Sequence, residues 1–279
     1  MENLNLELAV ERVVEIIKKY YRQTTGVNKI SKKEGNDIVT DIDLFMEQNI
    51  IAELSKLYPS HSFFAEESGE TKRDENGDFY QWIIDPIDGT VQYASGLSDF
   101  GIVVALQKNG ETILGVTYLP KLDELYTAIK GKGAFCNGQK INVSKNKDIS
   151  NSVIMIYLGA KHKKEEISKT CSLIERMLPS IRAVRIVGSS SAVTCWVACG
   201  KIDAVINLKS SKSLGSTAGR LFIEEAGGKV TNSLGKTRQN VDTMLCSNGL
   251  IHEQILKIIN DKVFLINKIW LKRHFIVIK

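Results

Sequence analysis

The 279-residue chain contains no run of about 18 apolar residues, so no membrane-spanning helix is predicted. Its first residues, "MENLNLELAVERVVEIIKKYYRQ", carry acids where a secretory leader would carry a basic stretch, and no leader is expected. Cysteine is sparse. Cys136, Cys171, Cys195, Cys199 and Cys246 are odd in number and irregular in spacing, which fits reduced thiols in a cytoplasm rather than a disulfide framework. No further Cys or His lies near Cys195 and Cys199 in sequence, so this pair is read as one face of a buried helix rather than half of a metal site.

A basic body is also missing. The net charge is +5, but residues 262–279, "KVFLINKIWLKRHFIVIK", hold five Lys and Arg and no acid. The remaining 32 basic residues match the 32 acids, which excludes a basic nucleic-acid-binding body. The tail mixes its charges with Ile, Val, Phe and Trp270, a composition that would suit a membrane surface or an acidic partner. A terminal strand or helix packed on this chain or a second subunit is the favoured reading. No repeat, low-complexity segment or long linker occurs.

What is present is an ordinary globular composition, 43% hydrophobic and 25% charged, in a chain long enough for one large or two modest cores. Leu6, Val10, Val13, Val14, Ile17 and Tyr21 recur at helical spacing over residues 4–22. A second helix is predicted over 43–58, stopped by Pro59, with short strands over 62–67 and 79–85. Asn109-Gly110, between two β-rich runs, predicts a hairpin, and Asn137-Gly138 sits among further strand-like pieces. The first half therefore reads as helices with a mostly antiparallel sheet. From residue 152 onward strands and helices alternate, which implies a sheet covered by helices. The expected division is 1–145 and 146–261, two sub-domains packed as one unit, followed by the tail 262–279.

The chemistry concentrates in "WIIDPIDGT", residues 82–90. A strand carries Asp85 to its end. Pro86 has no amide donor for a ladder, so a turn is expected that aims Asp88 back toward Asp85. Gly89 permits close approach, and "GTVQYAS" can open a helix. Two adjacent carboxylates repel unless a hard cation such as Mg²⁺ lies between them. A helix start adds amide donors for an anion, and the combination points to phosphoryl chemistry. Glu66 and Glu67 end another predicted strand, and Asp37, Asp41 and Asp43 form a further cluster. Helix capping is the simpler account of Asp41.

"WIIDPIDGT", "SHSFFAEESGE" and "NDIVTDID" resemble the signature segments of the inositol monophosphatase family, and "VGSSSAVTCWVACGKIDAVINL" and "AGRLFIEEAGGKVTN" are similar to its later segments. The likeness runs from about residue 10 to about residue 260. It implies a layered αβαβα sandwich, a homodimer or homotetramer, and a lithium-sensitive phosphatase using two or three Mg²⁺ ions on a small phosphate ester. By the same resemblance, Glu66, Asp85 and the Ile87 carbonyl would hold one Mg²⁺, and Asp85 and Asp88 a second. Glu66 and Thr90, supported by Asp43, would orient and deprotonate the attacking water. Gly89 and Thr90 would hold phosphate oxygens. Asp88, Ser189 and Asn207 would meet the rest of the substrate, and Lys32 and Asp37 match positions near the entrance. Water would attack phosphorus in line, its pKa lowered by one metal.

One position departs from the pattern. The family's Trp-Asp pair, whose aspartate completes the second metal site, corresponds to Leu214-Gly215, and no acid occurs between Asp203 and Glu224. The expectation is an intact first metal site and a weak second one. Ser213 or Ser216 would supply at most a neutral ligand. Lys209 and Lys212 would suit a second phosphate, as in fructose 1,6-bisphosphate, or else are solvated loop lysines. A 3′-phosphoadenosine 5′-phosphate phosphatase lacks any adenine-binding cue. The alternative of another class is a catalytically degenerate chain that binds a phosphorylated ligand or a partner.

Overall fold

The computed structural model describes residues 4–24, 30–32, 38–71, 79–158, 164–208, 214–237 and 243–261. Helix α1 (Leu6–Tyr21) starts where the Asn5 side chain accepts from the Glu7 and Leu8 amides. Its buried stripe is Ala9, Val13, Ile16, Ile17 and Tyr20. Strands β1 (Ile30–Lys32) and β2 (Ile38–Thr40) form a small antiparallel pair. Helix α2 (Asp41–Leu57) begins with a capping box between Thr40 and Asp43. The N-cap is thus Thr40, not Asp41, which stands in the first turn.

The larger sheet follows: β3 (Ser62–Ala65), β4 (Gly69–Thr71), β5 (Tyr80–Asp88), then the short helix α3 (Thr90–Ala94), β6 (Gly101–Lys108), β7 (Glu111–Leu119), β8 (Glu124–Ile129), β9 (Ala134–Cys136) and β10 (Gln139–Lys140). Its order is β10-β9-β8-β7-β6-β5-β3-β4. Every pairing is antiparallel except β3 with β5. The Asn109-Gly110 and Asn137-Gly138 turns have φ of 52° and 80°, and 48° and 77°, the left-handed pair a two-residue hairpin needs.

The second sheet is built from β11 (Val153–Tyr157), α4 (Lys164–Met177), β12 (Ala183–Val187), α5 (Ser190–Ala198), β13 (Ala204–Asn207), α6 (Ser216–Glu225), β14 (Lys229–Thr231), β15 (Met244–Ser247) and α7 (His252–Ile259). Its order is β12-β11-β13-β15-β14. The first three strands are parallel, β15 runs antiparallel to β13, and β14 runs antiparallel to β15.

Three apolar clusters separate five layers. On one face of the larger sheet Trp82, Ile84, Ile102, Val104 and Leu106 pack against α1 and α2. On its other face Ile83, Val103 and Ala105 meet Ala192, Val193, Ala218 and Phe222 of α5 and α6, and the same cluster reaches Val205 and Cys246 in the second sheet. Beyond that sheet Ile154, Ile156, Ile206 and Leu245 pack on Leu173 and Met177 of α4 and Ile255 and Leu256 of α7. The sequence of layers is α, β, α, β, α, a layered α/β fold. Each fully buried Ile or Leu in these interfaces contributes about 1.5–3 kcal/mol.

Helices α5 and α6 cross closely because α6 has Gly219 at the contact. A Cβ there would lie 1.9 Å from Thr194 Oγ1 and 2.4 Å from its Cβ. Cys195 is buried on α5, and Cys199 follows the helix with its Sγ 3.5 Å from the Tyr126 hydroxyl. Among the described residues no helix is long and apolar enough to cross a membrane.

Candidate active site

Strand β5 does not stop at Pro86 as expected. It continues to Asp88 through a β-bulge: Asp85 pairs with Val103 and Asp88 with Gly101, so three steps on β5 match two on β6. Pro86 sits in that irregularity, where no amide is demanded of it. The extra residue reverses the alternation of side chains. Trp82 and Ile84 face α1 and α2, while Ile83 faces α5 and α6. Asp85, opposite Val103, takes the α5/α6 face. Ile87 returns to the α1/α2 core, and Asp88, opposite Gly101, shares the face of Asp85.

Asp85 is 4% exposed, and its Oδ1 has no hydrogen-bond partner among the described residues. Burial pushes its carboxyl well above the usual carboxylate range. The neighbouring charges of Glu66 and Asp88, a hydrogen bond with Glu66 and the more distant Asp43 push the same way. Glu66 lies in the turn after β3, its side chain exposed and its amide donating to the Ile84 carbonyl at 3.2 Å. The turn is held from behind by Glu47. This buried carboxylate accepts from the Glu67 and Ser68 amides, both at 2.8 Å.

Thr90 opens α3 after Gly89, whose φ of 93° is left-handed. The Thr90 hydroxyl lies 3.2 Å from Asp43 Oδ1 and 3.1 Å from the Ile87 carbonyl oxygen, so its one proton is directed at an acceptor on either side. Asp43 is fixed by the amide and hydroxyl of Thr40, which donate to its Oδ2 at 2.8 and 2.5 Å.

Asp88 has different company. Its Oδ2 accepts from Ser189 Oγ and the Ser191 amide, each at 2.6 Å, and its Oδ1 from Ser190 Oγ at 3.0 Å. The carboxylate therefore sits on the N-terminus of α5, where the helix dipole favours an anion. Asp88 thus helps Ser189 cap α5, a helix about 100 residues away in sequence. Gly215 lies against it. A Cβ on Gly215 would be 2.4 Å from Asp88 Cγ and Oδ1 and 2.6 Å from Ser190 Oγ.

The fold thus brings together Asp43, Glu66, Asp85, Ile87 and Thr90 on one side, and Asp88, Ser189 and Gly215 on the other. Asn207 is buried at the end of β13, beside Tyr157 and opposite Met244. Asp37, Lys209, Lys212, Ser213, the Lys32 side chain and the tail 262–279 lie outside the described residues. Sequence reasoning missed Glu47, the Ser190 hydroxyl and Asp99. The last is a half-buried carboxyl raised first by burial and further by Asp88, against the lowering effect of its own amide.

The donor set suits a magnesium-type cation. All donors are oxygen, and the buried, unpartnered Asp85 Oδ1 among like charges is stabilised by a hard dication. Among the described residues no three acidic, His or Cys side chains converge on one metal-sized point, and Asp88 accepts from the start of α5. Mg²⁺ commonly takes only one or two carboxylates and completes its shell with water and phosphate.

Comparison with known proteins gives the family and the fold. The sequence model described as "Inositol monophosphatase family" matches residues 1–263. A "Fructose-1,6-bisphosphatase/inositol-1-monophosphatase" of Thermotoga maritima is 36% identical over 239 residues, covering 85% of this chain and 88% of that protein. Among solved structures, a Thermotoga maritima IMPase superposes with a TM-score of 0.79 at 33% identity, over 91% of this chain and 96% of its own. An IMPase/NADP phosphatase complexed with Mg²⁺ and phosphate superposes with a TM-score of 0.77 at 26% identity, over 92% of this chain and 95% of its own. With the family matched over nearly its whole length, the chain belongs to the inositol monophosphatase family of phosphoric monoester hydrolases.

Proposed function

We propose that the chain hydrolyses inositol monophosphate or a related sugar phosphate with Mg²⁺ at the Asp85 site. The observation that carries this is the buried Asp85 carboxylate, orphaned at Oδ1 and crowded by Glu66 and Asp88. Glu66, Asp85 and the Ile87 carbonyl would hold the first ion, and Asp88 would contribute to a weaker second one. Bound magnesium supplies charge neutralisation at the phosphoryl group and lowers the pKa of water. The chain's own contributions are positional. Thr90, oriented by Asp43, holds the attacking water, and Glu66 takes its proton. Gly89 and Thr90 meet phosphate oxygens, while Asp88, Ser189 and Asn207 meet the alcohol portion. Fructose 1,6-bisphosphate is the second substrate to test, since the Thermotoga relative carries both names.

Further proposals follow the same resemblance: two sub-domains over 1–145 and 146–261, and a cytoplasmic homodimer or homotetramer. Light scattering checks the assembly. Gly215 favours a second reading, a chain that binds phosphorylated ligands without turnover. Phosphate release from inositol 1-phosphate and fructose 1,6-bisphosphate across a Mg²⁺ titration separates the two, with Gly215→Asp in parallel. Activity in the native chain supports the enzyme. Silence in both proteins, with ligand still bound, supports the binder.

A further inference from the structure

The two carboxylates of "DPID" are in opposite states. Asp85 has a buried oxygen with no partner, whereas Asp88 has three donors. The slot that holds Asp88 exists only because residue 215 has no side chain. A Cβ there would overlap the carboxylate at 2.4 Å. Gly215 is the N-cap of α6, and Gly219, four residues on, brings that helix against Thr194 of α5. Thr194 Oγ1 in turn donates to the Ser190 carbonyl at 2.9 Å, tying the first turn of α5 to the crossing.

From this geometry we propose that Ser190 and Gly215 are positioning residues that hold Asp88 away from the cation site, so that one divalent ion binds readily and a second only when Asp88 leaves α5. The inference rests on the proposed metal site. Glu66 and Asp85 can take the first ion without moving Asp88. For Asp88 to turn a carboxylate oxygen fully to an ion it must give up donors, because its Oδ1 accepts from Ser190 Oγ and its Oδ2 from Ser189 Oγ and the Ser191 amide. Ser190 then sets the affinity of the second ion and not of the first. Gly215 does the same from the opposite wall, by leaving the slot empty.

The test is Mn²⁺ binding to the intact protein without substrate, counted by the electron paramagnetic resonance of free Mn²⁺ and by calorimetry. The native chain should bind one ion tightly and a second weakly. Ser190→Ala removes one donor, and Gly215→Ala fills the slot. Both should tighten the second constant about tenfold or more, the scale of one hydrogen bond to a charged group, and leave the first unchanged. Circular dichroism checks that each variant is folded, and agreement between two variants acting by different means guards against the misfolding of either. Second-ion binding that is unchanged or weaker in folded Ser190→Ala overturns this inference while leaving the metal site standing, as does an equal shift of both constants. No ion bound by the native chain at millimolar Mn²⁺ overturns the metal site and this inference together.

Discussion

The two sides of the candidate site are built from one tetrapeptide and behave as opposites. On the β3/β5 side Asp85 is a buried carboxyl facing other acids, and nothing among the described residues satisfies its Oδ1. On the α5 side Asp88 is equally buried, at 6% exposure, yet receives an amide and two hydroxyls. Burial alone therefore does not decide whether a carboxylate is poised for a cation. What decides it is whether the neighbouring element offers acceptors or donors.

The sharpest way to break this comparison is at Asp85. Asp85→Asn should lower phosphate release by about a thousandfold, since it removes the central cation ligand. Measured on the alkaline side of the raised Asp85 titration, it should also raise the melting temperature of the metal-free protein, because there it removes a buried charge facing Glu66, Asp88 and Asp43. A variant that melts lower without metal would show that Asp85 is satisfied by something else.

Gly219→Ala tests the α5 side through packing. The added methyl would press on Thr194, so a loss of about 1–3 kcal/mol is expected in urea unfolding. Unchanged stability would mean the α5/α6 crossing is slack, and with it the slot for Asp88.

A pH series sharpens the contrast further. With no cation, Asp85 holds its proton above the ordinary 3.8, so the folded state binds more protons than the unfolded one in the window just above that value. The contribution of Asp85 to stability is therefore lost as pH rises through this window. Cation binding must displace that proton, so apparent Mg²⁺ affinity should rise with pH and protons should be released on binding. Calorimetry in buffers of different ionisation enthalpy reads the release directly, and none near the lower end of the series would contradict the placement of the cation.

The smallest effect is a control away from the site. His252 is buried between Thr231 and Ser247, its ring nitrogens 2.9 and 2.8 Å from their hydroxyls. Burial, and then Lys229, push its pKa from 6.5 down to about 4, with Glu253 opposing. Here the unfolded chain binds the proton first, so stability falls as pH drops from 6.5 toward 4, opposite in slope to Asp85. His252→Gln should flatten that part of the melting profile.

Much of the fold is legible in the chain because it is local. The left-handed Asn-Gly pairs announce the hairpins, and the spacing of Val13 and Ile17 announces α1. Strands β4 and β14, three residues each, are too short for any period to mark. The site divides in the same way. Asp85 and Glu66 are visible because carboxylates at strand ends are chemically unusual. The hold of Ser190 on Asp88 and of Glu47 on the Glu66 turn is not, because it depends on contacts 102 and about 20 residues apart in sequence. The bulge was hidden by Pro86, which a sequence reader takes for a stop and the fold uses as an irregular step within a continuing strand.

That step has a consequence for tolerance to changes of length. In the Asn109-Gly110 turn an added residue enlarges an exposed loop and leaves both strands in phase. Between Asp85 and Asp88 an added or removed residue shifts everything from Ile87 to Thr90 relative to β6 and α5, moving an apolar wedge and an acid at once. Natural or engineered variants should therefore differ freely in length at the hairpin tips, while these four residues behave as a single uncuttable unit.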